Sequence, residues 1–148
     1  MEVIVAAPGF CISTFKSYQD TAPHLKSFAD FNSFVTSLKK IMVTKDKFNV
    51  TCFSPALFKS GTTRKNANVV EIGCAVLDFD DVQLEEIEKK ITEENWSGLV
   101  VSTHSYSDLH PYFRVILECS RPFTAEEWKG LHAVLHAQLG FKSDKRCK

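Results

Sequence analysis

The sequence predicts an α+β fold, and three observations predict it. From residue 69 onward the pattern reads strand, helix, strand, strand, helix. The strands alternate with a period of two, and the helices carry apolar stripes at helical spacing. A chain of 148 residues, 44% hydrophobic with twelve Phe, has room for one compact domain or two small modules sharing one core.

Taken in order, residues 2–6 read as a short strand. Over 31–41, Phe31, Phe34, Val35, Leu38 and Ile41 fall at helical spacing behind Asp30, which suits an N-cap. A further strand fits 48–53. The polar loop from Lys59 to Asn66 contains Gly61 and marks a seam between two modules. An N-terminal α/β module over 1–66 is expected to cover a core over 67–148. In that core, 69–80 is a strand ending in Leu77-Asp78-Phe79-Asp80, and 82–92 is a helix with Leu84, Ile87 and Ile91 on one face. Strands follow at 98–103 and 112–118. A helix over 124–139 opens on a Thr124–Glu127 capping box and stops at Gly140. This order is that of a split β-α-β sheet, ferredoxin-like or RRM-like, short of its final strand. Eight residues follow Gly140, so the expectation is a stub of that strand or a chain cut inside it.

Composition excludes several classes. No apolar run reaches the roughly 18 residues of a membrane span, and the N-terminus lacks a signal-peptide pattern. The five Cys are scattered and never form CxxC, which argues against a zinc knuckle or a disulfide framework and for a reducing, cytoplasmic setting. No Walker-type glycine loop is present. Net charge is zero, but from Lys26 to Lys65 eight cations face two acids, and from Glu71 to Glu94 nine acids face two cations. Such a division suits a protein that holds polyanions on one surface and metal cations on another; solvated surface charge gives the same pattern.

The chemistry concentrates at the end of the 69–80 strand. Alternation points Asp78 and Asp80 to one face and Phe79 to the other. Two adjacent carboxylates repel, and a divalent cation such as Mg²⁺ or Mn²⁺ relieves that repulsion with hard oxygen ligands. The plainer alternative is a solvated strand end with Asp81 as N-cap of the next helix. Ser102 and His104 share a face of the following strand, and Arg114 opposes Phe113 and Val115 in the one after. If these strands pair, one face gathers Asp78, Asp80, Ser102, His104 and Arg114, a set suited to a triphosphate and a metal. Ile72, Cys74, Val76 and Val100 are expected on that same face, covered by residues 1–66, with the Arg64-Lys65 loop over the cleft. His132 and His136 stand four apart on the last helix without an evident third zinc ligand. Trp96 and Trp128 suit core anchors.

A hydrophobic strand ending in Asp-x-Asp, then Ser-x-His about two dozen residues later, then Tyr-Phe-Arg-Val-Ile-Leu resembles the archaeo-eukaryotic primase superfamily. The likeness is closest to the primase-polymerase domains of plasmids, phages and other mobile elements and spans roughly residues 60–148. The resemblance implies Asp78 and Asp80 as catalytic metal ligands, with Asp144 as the third acid. It implies Ser102 and His104 as binders of the incoming nucleotide's phosphates. Arg114, Arg64 and Lys65 are read from the residues as further nucleotide, phosphate or template contacts. The expected activity is metal-dependent nucleotidyl transfer by a primase or polymerase acting in replication of a plasmid, phage or mobile element. Its partners would be nucleoside triphosphates and a DNA template or primer, without a membrane, and with further domains such as a helicase beyond this chain. Family domains continue past the third acid, whereas here four residues follow Asp144. The competing expectations are a catalytically inactive nucleic-acid- or nucleotide-binding replication-initiator module, and a metal-dependent phosphodiesterase using the same acids.

Overall fold

The computed structural model describes residues 9–39, 51–102, 109 and 111–140. Strands β1 (Phe10–Phe15) and β2 (His24–Phe28) form an antiparallel hairpin, and β3 (Cys52–Ser54) pairs with the other edge of β1. Helix α1 (Phe31–Leu38) follows the hairpin. Asp30 caps it by accepting the Ser33 N–H at 2.7 Å, and this bond holds its carboxyl below the usual range. A second antiparallel sheet contains β4 (Ala56–Phe58), β5 (Val69–Asp80), β6 (Gly98–Ser102) and β7 (Tyr112–Phe123), ordered β4-β5-β7-β6. Helices α2 (Leu84–Glu93) and α3 (Ala125–Leu139) complete the described elements. Two antiparallel sheets and three α-helices make this an α+β fold, as the alternating pattern requires.

Central β5 is apolar on both faces, so each face needs a cover. Ala75, Leu77 and Phe79 join Val115, Leu117, Ile87, Leu135 and Leu139 in one cluster under α2 and α3, with Trp96 and Trp128 packed at its margin. On the opposite face, Cys74 and Ile116 pack against Ile12 of β1 and Phe31 and Phe34 of α1. Burial pushes the Cys74 thiol up to about 12, which makes it an inert small apolar residue.

The edge beside β5 that a final strand takes in the split β-α-β order is occupied by β4, with Ala56 opposite Ile72. The cause lies at Pro55. The segment 52–58 gives β3 to the first sheet and β4 to the second, and Pro55, lacking an N–H, sits at the switch with its carbonyl accepting the Gly73 N–H at 3.0 Å. Ser13 adds a buried bond from its Oγ to the Ala56 carbonyl at 2.7 Å. Both sheets are therefore stitched through residues that precede the expected seam.

The capping box of α3 is present. Glu127 N–H donates to Thr124 Oγ1, and Thr124 N–H donates to Glu127 Oε1, each at 3.1 Å. Arg121 donates to the same carboxylate at 2.6 Å and, with the Thr124 bond, brings Glu127 down to about 2. Gly140 ends the helix at φ 71°. Helix α2 starts later than the pattern suggests, behind Gln83, and Asp81 does not cap it. Asp81 instead adopts φ 56° and donates its N–H to the Pro111 carbonyl at 2.8 Å, turning the chain out of β5. β7 runs five residues beyond its expected end at 118. The strand expected at 2–6 lies outside the described residues.

Gly98 opens β6 where a Cβ would strike the Ile116 carbonyl of β7 and crowd the Leu117 side chain at 2.9 Å. Gly98→Ala is expected to cost about 1–3 kcal/mol, because neither the backbone nor the packed leucine can yield cheaply. Chemical denaturation of both proteins measures the difference, and a cost near zero would mean that β6 sits farther from β7.

Candidate functional site

Asp78 and Asp80 lie at the end of β5, on the face where Cys74 and Val76 pack with the β1 and α1 cluster. Strand register decides what joins them. Asp78 lies directly opposite Arg114, and Asp80 opposite Tyr112, on the adjacent β7. Cross-strand partners share a face, so these four side chains belong together, as expected for Asp78, Asp80 and Arg114. Arg114 grips Asp78 with two bonds, Nε to Oδ1 at 2.8 Å and Nη2 to Oδ2 at 3.2 Å. The side chain of Asp78 is 23% exposed and that of Arg114 38%.

Ser102 does not join that face. It lies opposite Phe113, which lies opposite Phe79, so it belongs to the layer covered by α2 and α3. Val101 lies opposite Arg114 instead, in the place the sequence reading assigned to the hydroxyl. Val100 is likewise on the helix side, packed with the Val115 cluster. Alternation within a strand says which residues travel together, but a one-residue change in register sends the whole set to the other face. Strand β7 also separates β6 from β5, so Ser102 is two strands from the acids. His104 and Asp144 lie outside the described residues.

Arg64 and Lys65 are not over the acids either. They precede a 3-10 turn at Asn66–Asn68 that feeds the start of β5 at Val69. Val69 is nine residues from Asp78, which at a strand rise of about 3.3 Å per residue is roughly 30 Å. Arg64 works in the framework. Its Nη2 donates to the Tyr18 carbonyl at 2.8 Å, its N–H donates to the Thr21 carbonyl at 2.9 Å, and its guanidinium lies 4.7 Å from the Phe15 ring centre. It laces the 59–65 loop to the β1–β2 turn.

Other constellations have structural partners. His132 is buried, with its ring 5.3 Å from Trp128 and 5.8 Å from His136. A cavity of about 360 Å³ between the end of β7 and α3 is lined by Trp96, Cys119, Phe123 and Leu131, with the Arg121–Glu127 pair at its wall. It lies on the helix side of the sheet, away from Asp78. Among the described residues, no helix is long and apolar enough to cross a membrane.

Asp78 and Asp80 present two carboxylates on one face of β5. Among the described residues no group of three or more His, Cys, Asp or Glu gathers. Mg²⁺, however, is commonly held by one or two carboxylates, with substrate phosphates and water completing its octahedron. Asp78 and Asp80 supply that number of carboxylates, with both oxygens of Asp78 accepting from Arg114.

A family model described as the VapE N-terminal domain matches residues 11–145. Comparison with curated proteins and with solved structures finds no match.

Proposed function

The chain belongs to the VapE N-terminal domain family, a domain of replication-associated proteins of phages and plasmids, and from that premise we propose that it is a metal-dependent nucleotidyltransferase core of the primase-polymerase type. The observation that carries the proposal is the shared face of Asp78 and Asp80 at the end of β5, with Arg114 directly opposite Asp78. Asp78 and Asp80 would hold Mg²⁺ or Mn²⁺, and Asp144 is the third acid that the primase resemblance supplies. Bound there, the cation supplies Lewis-acid stabilisation of the phosphates and lowers the pKa of an attacking hydroxyl. Arg114 would bind the triphosphate through its planar fork and hold it in line for attack. Ser102 has no part in this arrangement at its present register. His104 keeps the phosphate-binding role only through the resemblance. Arg64 and Lys65 are too distant to touch the same nucleotide, and any contact they make is with a longer stretch of template, weakening with salt.

A second reading, a replication-initiator module that binds nucleic acid or nucleotide without turnover, is favoured by one observation. The closed Asp78–Arg114 ion pair engages both oxygens of a would-be metal ligand. Calorimetric titration with a deoxynucleoside triphosphate, with and without Mn²⁺, separates the two. The enzyme reading expects triphosphate binding that requires Mn²⁺ and is lost in Asp80→Asn. Equal binding without metal, or binding only to single-stranded nucleic acid, supports the second reading instead.

A further inference from the structure

The Asp78–Arg114 contact is two-pronged, as is the more exposed Arg121–Glu127 pair, and of the two it is the one that joins directly opposed strand positions. Lys89 and Lys90 approach Glu93 at 4.0 and 3.8 Å through single prongs on exposed helix turns, where such pairs contribute little. Arg114 meets Asp78 with two bonds, on side chains 38% and 23% exposed, at directly opposed positions of the two central strands. Both carboxylate oxygens therefore accept from one cation. A divalent ion approaching Asp78 meets that positive charge at close range and competes with it for the same oxygens.

The guanidinium is also the group best shaped on this face to receive a phosphate in the same two-pronged manner. Asp78 occupies the Nε–Nη2 edge of the guanidinium, and a phosphate that takes that edge displaces the carboxylate from it. We propose that Arg114 is a latch that makes the metal site conditional on nucleotide. It keeps Asp78 closed until a triphosphate takes the guanidinium, so that divalent cation and nucleoside triphosphate bind with positive coupling. The inference rests on the metal–nucleotide reading of Asp78 and Asp80. A two-carboxylate site points the same way, because phosphate oxygens are needed to complete the cation's coordination. Linkage makes the effect reciprocal: the cation must tighten triphosphate binding by the same factor.

The test is calorimetric titration of Mn²⁺ into the full chain. It is run alone and with a saturating deoxynucleoside triphosphate whose α–β bridge cannot be hydrolysed. In the natural protein the triphosphate should tighten Mn²⁺ about tenfold or more, within the usual range of coupling between sites. Arg114→Met should bind Mn²⁺ alone about tenfold more tightly than the natural protein and lose the dependence on triphosphate. Arg114→Lys, which keeps the charge but not the fork, should fall between them and serves if the Met variant melts early. If Mn²⁺ binds equally with and without triphosphate, or Arg114→Met and Arg114→Lys match the natural protein, the latch is wrong and the metal site stands. If the natural protein takes no Mn²⁺ under either condition, or Asp80→Asn takes it as well as the natural protein does, the metal reading fails and the latch with it.

Discussion

Asp78→Asn and Asp80→Asn should each reduce metal-dependent nucleotide incorporation by on the order of a hundredfold or more. Partners that merely support a metal ligand are already worth 10–100-fold, and these residues are assigned as the ligands themselves. The two variants should differ in stability. Asp80 lies opposite Tyr112 at the end of β5, and asparagine keeps its size and an acceptor oxygen, so a small change in the unfolding midpoint is expected. Asp78 neutralises Arg114, so Asp78→Asn leaves a partly buried guanidinium with a weaker partner and should lower stability by about 1–3 kcal/mol. Asparagine is the better substitute because it keeps an acceptor for Arg114, whereas alanine would confound lost chemistry with lost charge balance. Primer extension and template-dependent synthesis from triphosphates, each in Mg²⁺ and Mn²⁺, provide the readout. Extension at the natural rate in either variant would remove that acid from the catalytic assignment.

The largest loss of stability is expected from Phe34→Ala. Phe34 is fully buried. Its ring lies 5.0 Å from that of Phe10, 5.3 Å from Phe28, 6.1 Å from Phe31 and 5.4 Å from Phe53. It thus joins both edges of the first sheet to its helix, in the cluster that covers Cys74 and Ile116 of the second sheet. Removing such a ring costs the transfer energy of the side chain plus a cavity term, about 3–5 kcal/mol. Against a total stability of about 5–15 kcal/mol for a domain, that approaches the margin for folding. Urea denaturation followed by far-ultraviolet circular dichroism measures it. A loss below about 1 kcal/mol would mean that the aromatic cluster repacks and is not the keystone its contacts imply. Loss of this cover would also expose the face of β5 from which Asp78 and Asp80 emerge, so activity should fall together with stability.

Both predictions lean on β5, and β5 was the part most legible in the sequence. Its alternation is unbroken from Cys74 to Asp80, so the outward turn of the two acids followed from the period alone. The α3 capping box was equally readable, since Thr124 and Glu127 interact within one helical turn. What was hidden depends on partners distant in the chain. Ser102 was assigned to the wrong face because register is set between strands, and nothing local distinguishes Val101 from Ser102 as the residue opposite Arg114. Arg64 was assigned to the cleft because a loop's charge says nothing about which end of the sheet it reaches. Its anchors, Tyr18 and Thr21, are more than forty residues earlier. The β1–β2 hairpin carries a sequence signal of its own, a strand-forming run from Phe10 to Phe15 answered by His24–Phe28. Strand β4 gave almost none, being three residues long and placed directly after Pro55. Its pairing to β5 is a tertiary outcome rather than a local preference.

One measurement bears most directly on the paired acids as a metal–nucleotide site: anomalous diffraction from crystals soaked with Mn²⁺ and a non-hydrolysable deoxynucleoside triphosphate. We expect a manganese peak bridging Asp78 and Asp80 at about 2.1–2.2 Å from carboxylate oxygens, near the distances of hard divalent cations, with Arg114 turned onto a phosphate. Manganese bound elsewhere, or absent while Arg114 still grips both oxygens of Asp78 with the triphosphate present, would contradict the assignment.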